Sequence, residues 1–214
     1  MTSQILPTKL YTPTHHSNIV FRPRLIDQLA GWENRVLTLV SAPPGYGKST
    51  LLIEWATQLA LQAAWFSLDS GDNDPVRFWT HFVAALRKLP QFVDSSIGET
   101  LRHQLQLSPP PTNEELLGGF VTEIASQSQP FVIILDDLHL VSTAAVLDGL
   151  IFILENLTEG KSRMHLVVST RVDPPWPLAR LRVQRQVAEI RARDLRFSID
   201  ETAQFINDAS RLNL

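Results

Sequence analysis

Two closely spaced glycines, a lysine and two hydroxyl residues can together grip a polyphosphate, and they stand in that order in Ala42-Pro43-Pro44-Gly45-Tyr46-Gly47-Lys48-Ser49-Thr50. Gly45 and Gly47 allow the backbone to bend so that successive N–H groups turn inward toward phosphate oxygens. Lys48 offers a compact charge for β- and γ-phosphates. Ser49 offers a hydroxyl to Mg²⁺, and Thr50 another to a phosphate. This is the P-loop pattern, with Ala42 standing where the strict form has glycine. ATP or ADP with Mg²⁺ is the ligand set it predicts. A glycine-rich turn that binds nothing is the plain alternative, and the order of strand, loop and helix argues against it.

A metal-bound phosphate also needs a carboxylate. The run Phe131-Val132-Ile133-Ile134-Leu135-Asp136-Asp137 supplies it, an apolar strand ending in acid, 88 residues beyond Lys48. Asp136 is expected to hold Mg²⁺ with Ser49. Asp137 stays open between orienting or deprotonating an attacking water and capping the next helix. A third group is Arg171, directly after the strand-like run at 165–169. From there a guanidinium can reach a γ-phosphate or simply sit in solvent. His139 is near enough to matter, with packing or capping as its default role. The adjacent His15 and His16 point apart rather than onto one ion.

Positioning such groups takes a sheet. Apolar runs at 36–40, 63–68, 131–135, 165–169 and 187–190 alternate with helical patterns at 49–60, 75–88, 113–127 and 142–157. Continuous apolar strands between helices predict an α/β fold, a three-layer P-loop NTPase with a mainly parallel sheet flanked by helices. Asp74-Pro75 reads as a helix start. Thr112 with Glu115, and Ser198 with Glu201, fit capping boxes. Trp55, Trp65 and Trp79 sit in apolar patterns and read as core. Residues 1–20 read as irregular, because Pro7 and Pro13 interrupt regular structure. Ser108 to Pro111 reads as a stiff connector. The domain itself is expected over 21–197, with 198–214 opening a helical region whose Phe205, Ile206 and Ala209 need a partner surface.

A chain of 214 residues can bury a core, and its formal charge of −3 provides no general attraction to nucleic acid or to anionic membranes. No cysteine is present, which excludes disulfides, thiolate metal sites and a cysteine nucleophile. The N-terminus lacks the apolar stretch of a secretory signal, and the apolar runs are too short to span a bilayer, so a cytoplasmic chain is expected.

Several ordered segments together resemble the ATPase domain of MalT-like, large LuxR-type transcriptional regulators, a branch of the STAND class of P-loop ATPases. They are the P-loop, Val20-Phe21-Arg22-Pro23-Arg24, the stretch from Ala63 to Leu86, the run ending in Asp136-Asp137, and the segments 169–182 and 189–206. The resemblance implies a switch that ADP holds closed and ATP opens toward self-association, with slow hydrolysis. It implies that Arg171 senses the γ-phosphate, and that Arg22 or Arg24 contacts the nucleotide. It also implies a longer polypeptide, with DNA contacted only through a domain not in this chain. Asp69, Asp72 and Asn73 match a family stretch but read first as a turn and cap. Seven arginines lie between Arg171 and Arg196 without a lysine, and a solvated or ion-paired face is their plainest reading. A small-molecule kinase, an AAA-like mechanical ATPase and a binding fragment without turnover are the competing functions.

Overall fold

The computed structural model describes residues 5–14, 20–59, 62–107, 111–157 and 163–210. Five strands form one sheet: β1 (Leu37–Ser41), β2 (Ala63–Ser67), β3 (Phe131–Asp136), β4 (Met164–Thr170) and β5 (Val187–Arg191). Every pairing is parallel, in the order β2-β3-β4-β1-β5. Each strand lies within one residue of its expected bounds. The three inner strands are buried along their whole length, as a sheet covered on both faces requires.

Alternation sends side chains to two different cores. Leu37, Leu39, Ile133, Leu135, Leu166 and Val168 face the larger one. It is completed by α3 (Pro75–Leu86), α4 (Glu99–Gln104), α5 (Asn113–Ala125) and α6 (Ala144–Leu157). Val40, Trp65, Val132, Ile134 and Val167 face the smaller core, under α1 (Pro23–Leu29) and α2 (Lys48–Leu59). Trp55, Trp65 and Trp79 are all buried, as expected. Asp74 caps α3, and Thr112 with Glu115 forms a reciprocal capping box on α5. Ser198 and Glu201 do the same at the start of α8 (Ile199–Ser210).

Two features depart from the sequence reading. Pro7 does not block structure: it opens a 3₁₀ turn over Pro7–Leu10, since proline suits a first helical position. Lys9 and Leu10 of that turn are buried. The short helices α4 and α7 (Leu178–Val183) were also not foreseen, since two turns carry too little periodicity to read. The Ser108 to Pro111 connector and the His15-His16 pair lie largely or wholly outside the described residues. Among those described, no helix is long and apolar enough to cross a membrane.

Candidate functional site

The carboxyl ends of β1, β3 and β4 meet at one edge of the sheet, where open α/β sheets hold ligands. There β1 runs into the loop 42–47 and the loop into α2. Gly45 and Gly47 have φ of 83° and 77°, left-handed values that L side chains avoid. A Cβ at Gly45 would meet nothing within 4 Å, so conformation rather than space demands glycine. The turn thus presents backbone amides and the N-terminal dipole of α2 on one side.

Lys48 opens α2 and is buried, with its Nζ donating to the carbonyls of Ala42 at 2.8 Å and Pro43 at 3.2 Å. Burial pushes its pKa down. The charge of Asp137 opposes that shift, Arg171 reinforces it, and Asp136 opposes it more weakly.

Asp136 ends β3 and is also buried. Ser49 Oγ donates to its Oδ1 at 3.1 Å, and Ser169 Oγ makes a second bond to the same oxygen. Burial raises the Asp136 pKa, and the two serine hydrogen bonds only partly counter it. Ser169 escaped the sequence reading, because its importance comes from the pairing of β4 beside β3 and not from its own neighbours. It also accepts the Asp137 N–H at 3.1 Å. That bond holds Asp137 at φ 63°, a strained value for a non-glycine residue and worth ~1–3 kcal/mol.

The Asp137 side chain makes no capping bond to the turn that follows. The entry to α6 is instead gripped by Asn73 Oδ1, which accepts from the Ser142 N–H at 2.8 Å and the Thr143 N–H at 3.0 Å. Asp69 and Asp72 form a capping box, so this acidic stretch is structural, as read. His139 Nδ1 lies 3.7 Å from Asp137 Oδ1, and both buried ring nitrogens lack a hydrogen-bond partner among the described residues. Burial lowers its pKa; Asp137 opposes this, while Arg171 and Lys48 reinforce it.

Arg171 stands one residue beyond β4, exposed, with its charge felt at both Lys48 and His139. A cleft of about 530 Å³ opens beside the loop, lined among others by Gly45, Tyr46, Thr50, Arg22 and Phe197. Arg22 is buried at its wall, 5.1 Å over the Phe197 ring and 3.6 Å from Glu201. Arg24 does not line the cleft. Its guanidinium is committed to Glu201 at 2.9 Å and to the carbonyls of Asp194 and Arg196, each at 2.6 Å. The loop, Asp136, Asp137 and Arg171 are therefore brought together, Arg22 adjoins them, and Arg24 is turned elsewhere. Three of the seven arginines in the arginine-rich end are ion-paired among the described residues: Arg182 with Glu189, Arg191 with Glu189 and Asp173, and Arg193 with Asp194.

No protein-family model matches the chain. It is 33% identical over 203 residues to the HTH-type transcriptional regulator MalT of Yersinia enterocolitica, covering 95% of this chain and 22% of that protein. It is 32% identical over 212 residues to the serine/threonine-protein kinase PknK of Mycobacterium tuberculosis, covering 97% of this chain and 18% of that one. The chain thus spans about a fifth of the length of these curated relatives. A STAND protein with a tetratricopeptide repeat sensor from Pyrococcus horikoshii shares the fold over 95% of the chain, with TM-score 0.55 at 12% identity. CDC6P from Pyrobaculum aerophilum does so over 94%, with TM-score 0.52 at 13% identity. By sequence the chain corresponds to the N-terminal region of MalT-like regulators, and its five-stranded parallel sheet flanked by helices is the P-loop fold that it shares with the STAND protein and CDC6P.

Proposed function

We propose that the chain binds ATP and ADP with Mg²⁺ and acts as a nucleotide-operated regulatory module with slow ATP hydrolysis. One observation carries the reading. A buried lysine opens α2 with its Nζ on two carbonyls of its own loop, the next residue, Ser49, is bonded to Asp136, and the loop residues Gly45 and Gly47 with Thr50 line a large cleft.

Each residue then has a role that its surroundings support. The amides of the loop and of the first turn of α2 bind phosphate oxygens, and Lys48 leaves its two carbonyls to neutralise the β- and γ-phosphates. Thr50 orients a further phosphate. Ser49 and Asp136 hold the metal as two hard oxygen ligands already within 3.1 Å of each other. No group of three or more His, Cys, Asp or Glu that could hold a metal occurs among the described residues. This suits Mg²⁺, which takes one or two protein ligands and completes its shell with phosphate and water. When bound, Mg²⁺ neutralises charge developing on the phosphates. Asp137, half-exposed and free of a capping duty, orients the attacking water. Arg171 reads the γ-phosphate and so distinguishes ATP from ADP. Arg22 packs against the nucleoside in the cleft.

The relatives extend well beyond the matched stretch. We therefore assign signal sensing and DNA contact to other parts of such a polypeptide, with this domain, and the helical region opening at 198, setting its conformation and self-association. The test is steady-state phosphate release from ATP with Mg²⁺. Turnover below ~1 per second is expected, at the slow end of the enzyme range. Rapid sustained turnover would point to a mechanical ATPase instead.

A further inference from the structure

We propose that Asp173 is a positioning residue for Arg171, anchoring the segment that carries it to the root of the phosphate loop. The inference rests on the reading of Arg171 as the γ-phosphate sensor.

Arg171 lies on chain that has left the sheet, yet it is tied down on both sides. Before it, Thr170 is paired with Ser41 in the β1–β4 register, and the Ala42 N–H donates to the Thr170 carbonyl at 3.2 Å. After it, Thr170 Oγ1 donates to the Val172 carbonyl at 2.6 Å, closing a tight turn around Arg171. The Asp173 carboxylate then completes the frame. Ser41 Oγ donates to its Oδ1 at 2.7 Å, and Arg191 forms an ion pair with the same oxygen.

Ser41 immediately precedes the phosphate loop, and Arg191 is its register partner on β5. Asp173 therefore bridges the carboxyl ends of β1 and β5, two strands on the far side of β4 from Asp136. Arg191 is in turn steadied by Glu189, which also receives Arg182. The chain of contacts is continuous from the edge strand, through Asp173, to Ser41, the residue before the loop.

The consequence is geometric. A sensor arginine on a free loop would spread its guanidinium over many positions, and a displacement of about 1 Å can cost a large factor in a positioned interaction. With residues 170, 172 and 173 held, only the Arg171 side chain remains to be ordered by the ligand. Among the described residues Asp173 forms no hydrogen bond or ion pair with Arg171, Lys48 or Asp136, so its effect reaches the γ-phosphate through the backbone of Arg171.

The experiment is the ratio of ADP to ATP dissociation constants, measured calorimetrically with Mg²⁺ on the wild-type chain and on Arg171→Ala, Asp173→Ala, Asp173→Asn and Ser41→Ala. Asp173→Ala is expected to reduce the preference for ATP about tenfold while leaving ADP affinity in place. Asp173→Asn, which keeps an acceptor for Ser41, should recover much of it, and Ser41→Ala should show part of the loss. The double variant Arg171→Ala/Asp173→Ala should lose no more than Arg171→Ala alone. A purely structural role would weaken ATP and ADP equally, and that result overturns the proposal. So does an unchanged ratio in both Asp173→Ala and Ser41→Ala beside a collapsed ratio in Arg171→Ala. An unchanged ratio in Arg171→Ala removes the sensor reading itself, and the positioning role with it.

Discussion

Lys9 and Lys48 are both buried, with relative exposures of 8% and 7%, yet they are satisfied in opposite ways. Lys9 is ion-paired to the fully buried Asp72 and to Asp69 at 3.0 Å, and it lies 5.2 Å over the Phe66 ring. Arg77 adds a second cation to the same pair of carboxylates. Among the described residues Lys48 is hydrogen-bonded to the carbonyls of Ala42 and Pro43 and has no ion pair, and burial lowers its pKa. A buried charge needs compensation by opposite charge and hydrogen bonds. The chain supplies all of it to Lys9, fastening the N-terminal segment to the edge of β2. For Lys48 it leaves room for an anion. Buried charge alone does not mark function; charge that the protein itself leaves undercompensated does.

Breaking the closed cluster should have the largest effect on stability. Asp72→Ala strands Lys9 without its buried partner and is expected to cost ~3–5 kcal/mol, seen as a fall in the denaturant midpoint. Nucleotide affinity of the fraction that remains folded should be unaffected.

The open site should respond in the reverse sense. Burial raises the Asp136 pKa and so disfavours its charged form, and Asp136→Asn is expected to stabilise the ligand-free chain at neutral pH by ~0.5–1.5 kcal/mol while abolishing Mg²⁺-dependent binding. The pH dependence has a defined sign. An acid whose folded pKa is raised favours the fold when protonated. That contribution is complete below the unfolded pKa and is lost as pH rises through the folded one. The wild-type chain, relative to Asp136→Asn, should therefore gain stability as pH is lowered toward 4, in thermal melts at fixed ionic strength. The smallest effect is expected from Asp69→Asn, whose side chain is half-exposed; ~0–1 kcal/mol in the same melts would fit a screened surface pair.

The same two lysines show why parts of the molecule were legible in sequence. Lys48 finds its partners within six residues, and the loop's glycines, the strand before it and the helix after it are consecutive, so local spacing was enough. Asp136 could be read because an apolar run ending in acid is itself a pattern. Lys9 meets Asp72 across 63 residues, so no local signal marked it, and its segment read as irregular. Ser169 and Asp173 were silent for the same reason: their meaning comes from which strands lie side by side. The family resemblance implied a nucleotide contact by Arg22 or Arg24, and in the structure Glu201, 177 residues away, takes the Arg24 guanidinium. His139 stood beside the right motif, yet only the structure shows its two ring nitrogens without a hydrogen-bond partner among the described residues.

Calorimetric titration of the wild-type chain and of Lys48→Met with ATP, with and without Mg²⁺, bears most directly on nucleotide binding at the loop. The wild type should show one Mg²⁺-dependent site, and Lys48→Met should show none while melting within ~1 kcal/mol of wild type, since no internal ion pair is lost. Undiminished affinity in Lys48→Met, or a wild-type chain that binds neither ATP nor ADP, would contradict it.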